Sequence, residues 1–275
     1  MISTLMWVCI LTLVIHSVET LSYAIRLSGV RAGKLAVALS ITGVVVLVSR
    51  TANLIQAPLT AKLIDQAKGS ESFPLETYFR YILGASSLGT LVAIALFPTF
   101  VFLFARVIAH LEIEGSIPKL ISSVTVDKIR HAKHHLRKPR LSMLRSLRYY
   151  GIPKRLLVLN AVVTAIYTVG VLSSLYAAHL VPAYSMTASQ SSGLINGIAT
   201  IMMTVFVDPQ LALITDKAIA NAEARSKLGR IFGLLMISRF AGTLLAQLFF
   251  LTGCVLGQFG STVAVTWRHS TLAGN

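Results

Sequence analysis

The sequence predicts an all-α, polytopic membrane protein with six transmembrane helices. Three observations carry that prediction. Of the 275 residues, 55% are hydrophobic, mean hydropathy is +0.73, and only 13% are charged. A soluble domain carries roughly 25% charged residues. The apolar residues fall into runs of about 20, the length that crosses a bilayer. Glycine, serine, threonine and alanine recur inside those runs, as in SITG, LGASSLGT and TGCVLG, and small residues allow helices to pack closely in lipid.

Taken in order, the predicted spans are 2–24, 34–57, 81–104, 156–181, 194–214 and 231–256, and residues 1–275 read as a single integral membrane domain. The first run starts at Met1–Ile2 with no basic flank and no small-residue cleavage site, so it reads as a retained span. Pro98 is a candidate kink in the third span, and Asp208–Pro209 a candidate break in the fifth. Cys9 and Cys254 show no metal-ligand spacing and read as buried free thiols.

Six spans make five loops. The first, third and fifth hold Arg26, Arg31 and Lys34, then twelve Lys/Arg from Arg106 to Arg155, then Lys217, Arg225, Lys227 and Arg230, which is 19 of the 25 basic residues. The second holds Lys62 and Lys68 with Arg80 at its edge, and the fourth, PAYSMTASQSSG, holds none. The positive-inside rule places the odd loops in the cytoplasm and both termini outside. The formal charge of +15 is concentrated from Lys119 to Arg155 beside apolar segments. It is the signature of a basic face on anionic lipid, and no nucleic-acid partner is expected.

The third loop, about 105–155, is the only substantial element outside the spans. Leu120, Ile121, Val124 and Ile129 repeat among polar residues, and after Pro139, Leu141, Leu144 and Leu147 alternate with Arg140, Arg145 and Arg148. The pattern predicts a cytoplasmic helical hairpin with one basic, amphipathic arm whose arginines touch inner-leaflet phosphates. The plainer reading is a topology determinant without a ligand. Asp127, His131 and His135 are four apart, but the surrounding Lys and Arg repel a cation, so no metal is expected. Tyr149–Tyr150 reads as an interfacial belt.

The sharpest positions are charges inside spans. Arg50 and Arg239 each follow a serine, and each stands the same distance along the chain after an acid, Glu19 and Asp208 respectively. A charge at membrane depth costs from about 3 to above 10 kcal/mol, so it turns to a cavity or a partner. Two acid–arginine pairs therefore predict a polar chamber whose guanidiniums bind phosphate oxygens in a bidentate fork. The acids would hold the arginines in the empty chamber or carry a proton. The competing reading is two structural ion pairs. Counted at about 1.5 Å per residue from the inner boundaries, Glu19, Asp208 and Arg239 fall in the inner half or middle and Arg50 nearer the outside.

His16, one turn before Glu19, is a proton relay, a substrate contact or a structural histidine. Asn53 and Gln56 extend the Arg50 face. They either line the chamber and touch sugar hydroxyls or make interhelical hydrogen bonds. Sliding the chain along itself until Glu19 meets Asp208 also sets LVSR (47–50) on MISR (236–239), Ala52 on Ala241 and Ala57 on Ala246. The first two spans then match the last two, as in transporters with a site between repeats. There is no Gly-Lys-Ser/Thr phosphate loop, HExxH, GxSxG or acidic cluster suited to magnesium. These absences weigh against an enzyme, and no cofactor is expected.

The run HSVETLSYAIRLSGVRAGKLAVALSITGVVVLVSRTANLIQAPLTAKLID, the basic central loop and DPQLALITD before the last span resemble the Amj family over the whole length. That family supplies an alternate lipid II flippase in Bacillus and relatives, interchangeable in function with MurJ flippases though not similar to them in sequence. The resemblance implies movement of lipid II, the undecaprenyl-pyrophosphate disaccharide-pentapeptide, across the cytoplasmic membrane. For such a substrate the charge argument, not the resemblance, assigns the pyrophosphate to Arg50 and Arg239, which share it or take it in turn. With only six spans, a homodimer sharing one cavity is an open arrangement. A membrane enzyme on polyprenyl phosphates and a structural or regulatory membrane protein are the alternative classes.

Overall fold

A computed structural model describes residues 2–69, 73–116, 119 and 152–272, with side chains as far as residue 250 except at 112 and 184. The elements are α1 (Ile2–Ala32), α2 (Leu35–Lys68), α3 (Leu75–Glu114), α4 (Lys154–Leu180), a 3-10 turn (Pro182–Tyr184), α5 (Ser185–Met202), a π-helical turn (Met203–Val207), α6 (Asp208–Ala220) and α7 (Ala222–Leu272). Helix is the expected outcome, because backbone groups in hydrocarbon must be satisfied within their own segment. Among the described residues six helices are long and apolar enough to cross a membrane, with α5 and α6 forming the fifth as Ser185–Ala220.

Every helix outruns its apolar window. Arg26 and Arg31, expected in the first loop, lie within α1. The serine-rich fourth loop is largely the start of α5. Asp208–Pro209 does not break the fifth span. A π turn absorbs the irregularity and α6 starts at Asp208, with Pro209 in its first turn where a missing N–H costs nothing. α3 continues through Pro98. Cys9 is free but half-buried rather than buried, and Cys254 falls beyond the described side chains. The hairpin with Arg140, Arg145 and Arg148, together with Asp127, His131, His135 and Tyr149–Tyr150, lies outside the described residues.

Turn chemistry fixes the α1–α2 hairpin. Gly33 has φ +69°, its N–H bonds the Val30 carbonyl at 3.2 Å, and the Lys34 N–H bonds that of Gly29 at 2.8 Å. These two bonds form a Schellman cap, which needs a residue tolerant of left-handed backbone. In the register that sets Glu19 on Asp208, this turn falls at Ala222–Glu223, just past the observed break at Asn221 between α6 and α7. The first and last hairpins therefore turn at matching places.

α1 packs along α2 and α3 and also meets α7; α7 packs on α4, and α4 on α5. Close approach relies on missing side chains. A Cβ on Gly89 of α3 would lie 2.5 Å from the Leu13 carbonyl oxygen of α1, and one on Gly242 of α7 would overlap the Ala161 carbonyl of α4. Ser17 uses the gap to donate to the Gly89 carbonyl at 2.9 Å.

Two apolar clusters lie at different heights. One holds Leu21–Val30 of α1, Ala93–Ile108 of α3, Leu156 and Leu228–Met236 of α7. The other holds Val8, Leu63–Ala67 of α2, Leu75–Leu83 of α3, Ala165–Tyr176 of α4, Ala246 and Phe250. Between them every helix of the main bundle turns polar. Thr12, His16 and Thr20 do so on α1, Ser49 on α2, Ser86 and Thr90 on α3, Asn160 and Thr164 on α4, and Ser238, Arg239 and Thr243 on α7. Outside, α5 and the π turn present Leu194, Ile198, Ile201 and Val205 as an exposed apolar stripe at helical spacing, the face a lipid-contacting helix shows.

Candidate functional site: a charged cavity inside the bundle

The polar band opens into a cavity of about 820 Å³. On α1, Thr12, His16, Glu19, Tyr23 and Arg26 line it at steps of three and four residues, so one helical face supplies the whole row. α2 contributes Arg50, Asn53 and Gln56; α4, Thr164 and Tyr167; the fifth span, Asn196, Thr204 and Asp208; and α7, Arg239. Ile82 and Leu83 bring in α3, so all six spans contribute. Every candidate site residue expected within the spans lines this one space.

The pairing differs from the spacing-based expectation. Glu19 pairs with Arg239 at 2.8 Å, not with Arg50. Asp208 lies 3.7 Å from Arg26, not against Arg239. The equal acid-to-arginine spacing matches positions along the chain, but azimuth and packing decide partners: α1 lies against α7 across the bundle. Arg50 is exposed to the cavity and makes no ion pair among the described residues.

The expected difference in depth also fails. Ser49 donates to Glu19 Oε1 at 2.9 Å, so Arg50, Glu19 and Arg239 share one level. The reason is helix length. α7 begins at Ala222, well before the apolar run at 231, which lifts Arg239 further along the axis than the hydropathy boundary implied.

Glu19 anchors the network. Besides Arg239 and Ser49, it accepts from the Tyr167 hydroxyl at 3.3 Å, and Asn53 Nδ2 donates to that hydroxyl at 3.1 Å. Gln56 Nε2 donates to Thr12 Oγ1 at 2.8 Å. Asn53 and Gln56 thus make interhelical bonds and line the cavity at once. The Arg239 side chain is 8% exposed and that of Glu19 18%, so the pair is withdrawn from solvent. Each charge there is tolerable because the other is present. His16 is buried, and its Nδ1 has no hydrogen-bond partner among the described residues; the same holds for Arg239 Nε and Asn196 Oδ1.

Sequence reasoning missed Arg26, Tyr23, Tyr167 and Asn196 as cavity residues. Arg26 had a readable signal, since it stands two helical turns after Glu19 on the same face. The cavity carries three arginines against two carboxylates, an excess of one cation. Such a lining can offer guanidinium, amide and hydroxyl groups to a polar guest.

A family model described as Amj, alternate to MurJ, matches residues 11–258. The chain is 43% identical over 243 residues to a protein of Bacillus subtilis (strain 168) named lipid II flippase Amj, covering 88% of this chain and 90% of that protein. No solved structure matches. With buried charges and a family match over most of its length, this multi-pass membrane protein belongs to the Amj family.

Proposed function

We propose that the protein moves lipid II from the inner to the outer leaflet of the cytoplasmic membrane, acting as a transporter and not as an enzyme. The observation that carries this reading is the cavity lined by three arginines and two carboxylates inside a bundle of helices long and apolar enough to cross a membrane. The relative named lipid II flippase Amj supports the substrate class.

The parts divide the work by chemistry. Arg50, which faces the cavity without an ion pair among the described residues, is the natural ligand for a pyrophosphate at the central level, and Arg239 joins it there once Glu19 releases it. Asn53, Gln56 and Tyr167 present amide and hydroxyl groups suited to sugar hydroxyls. The undecaprenyl tail has its own route. α2 and α5 both line the cavity yet share no extensive packing among the described residues, and Leu54 of α2 lines it while 75% exposed. A tail lying between α2 and α5 stays in lipid while the headgroup occupies the chamber. Substrate that binds Arg239 more tightly in a second conformation, at the expense of Glu19, drives the exchange between states.

In this reading both termini face outside and the basic segment at about 105–155 faces the cytoplasm, where Arg140, Arg145 and Arg148 meet anionic lipid. A homodimer would add a second cavity and not complete the first, since one chain supplies walls from all six spans. The test is genetic and direct. A host carrying this gene is depleted of MurJ-type flippases, and outward exposure of lipid II is measured. Sustained exposure is the expected result; its loss with the protein present at normal level rejects the function.

A further inference from the structure

Arg26 stands apart from the other two cavity arginines. It lies two turns beyond Glu19 on α1, about 10 Å along the helix axis. That puts it toward the α1–α2 turn, while Arg50, Glu19 and Arg239 share the other level. Its side chain is 20% exposed, and its Nε is buried without a hydrogen-bond partner among the described residues. The contact with Asp208 is 3.7 Å, longer than a hydrogen bond, and the Asp208 side chain is 45% exposed. Contrast Arg239, clasped by Glu19 at 2.8 Å in near-complete burial. A guanidinium has five N–H donors. At Arg26 the carboxylate spends few of them.

The carrier of that loose carboxylate is also unusual. Asp208 follows the π turn Met203–Val207 and opens α6, with Pro209 next. π turns inside helices concentrate at functional sites. Here the bulge sets an acid beside the arginine without closing the pair.

We propose that Arg26 is a separate anion-binding residue for the diphosphate of a lipid-linked sugar, with Asp208 as the carboxylate that the diphosphate displaces. The proposal rests on the cavity being the substrate path. Arg26 stands about two helical turns from the level of Arg50 and Arg239, so the diphosphate meets it at a different stage of its passage. With the α1–α2 turn on the cytoplasmic side, Arg26 is the first guanidinium the headgroup meets. Asp208 keeps the vacant site from holding stray anions, and its weak grip makes it easy to replace.

The test is equilibrium binding of undecaprenyl diphosphate to the purified full-length protein in detergent at low salt. Arg26→Gln is expected to weaken binding at least tenfold, and Arg26→Lys to fall between it and the parent. Asp208→Asn, which removes the competitor and keeps the shape, is expected to tighten binding several-fold. Arg80→Gln, at an exposed residue paired with Glu76 and away from the cavity, is the control. A merely structural Arg26–Asp208 pair would make both variants less stable and neither a tighter binder. Binding by Arg26→Gln within twofold of the parent, or weakening by Asp208→Asn, overturns the proposal. Should Arg26→Gln fail to fold, Asp208→Asn decides alone: tightening supports, anything else overturns. Parent protein that binds no prenyl diphosphate defeats the substrate reading and this proposal together, whereas parent binding untouched by Arg26→Gln defeats Arg26 only. Inorganic pyrophosphate as a second probe separates recognition of the anion from recognition of the lipid: equal dependence on Arg26 means that the residue reads the diphosphate itself.

Discussion

The Arg239 guanidinium lies 2.8 Å from the Glu19 carboxylate, 220 residues away along the chain, and joins the first helix to the last in the middle of the bundle. Removing one member strands the other in a site withdrawn from water, which costs on the order of 3–5 kcal/mol. Glu19→Gln and Arg239→Ala should each lower the melting temperature of the purified protein markedly. Glu19→Gln combined with Arg239→Met should recover much of the loss, because no charge is left alone. A double variant as unstable as the sum of the singles would show that the two residues do not act as a pair.

The membrane class and six spans were legible because hydrocarbon leaves little choice: runs such as 81–104 must be helical and must cross. What the sequence hid was azimuth and the ends of helices. Ser185–Gly193 reads as a loop by composition, yet in lipid a helix is the cheapest way to satisfy its backbone. Arg26 read as a flank because cations near a span end usually are one. Glu19 with Arg239 could not be read from spacing, since it depends on how α1 and α7 lie against each other. That Arg50, Arg239, Glu19, Asp208, His16, Asn53 and Gln56 all reach one cavity was legible, because polar groups in a bilayer have few other places to go.

Close helix packing at Gly89 and Gly242 makes a second prediction. Each faces the backbone of a neighbouring helix, so the clash from an added side chain cannot be relieved by a rotamer change. Gly89→Val or Gly242→Val should cost about 1–3 kcal/mol. Gly43→Val, where a Cβ meets nothing within 4 Å, should be nearly silent in the same melting assay.

Topology is checked by labelling. With 19 of 25 basic residues in, or near the ends of the spans that flank, the first, third and fifth connections, a cysteine placed at Ser146 should react with a membrane-impermeant maleimide only in opened cells. Reaction in intact cells reverses the orientation and with it the direction of transport.

The basic arm should carry salt-sensitive lipid affinity. Replacing Arg140, Arg145 and Arg148 together with Gln should reduce binding to anionic liposomes at low ionic strength and leave little difference at high salt, where a short Debye length screens the parent too. Unchanged binding at low salt removes these residues from the lipid surface.

Arg50 separates function from architecture. Unlike Arg239 it has no ion-pair partner among the described residues and faces the cavity, so its loss strands no buried carboxylate. Arg50→Ala should therefore accumulate and melt like the parent, within about 0.5 kcal/mol, yet fail to support growth when other flippases are depleted. Arg50→Lys keeps the charge but replaces a planar fork with a point charge. It should leave partial activity if Arg50 only neutralises the diphosphate, and nearly none if it grips two oxygens at once. Measured beside Arg239→Ala, which is expected to lose both stability and activity, the Arg50 pair gives a readout that folding defects cannot imitate. An Arg50→Ala protein that is abundant, stable and fully active would remove this arginine from the transport path.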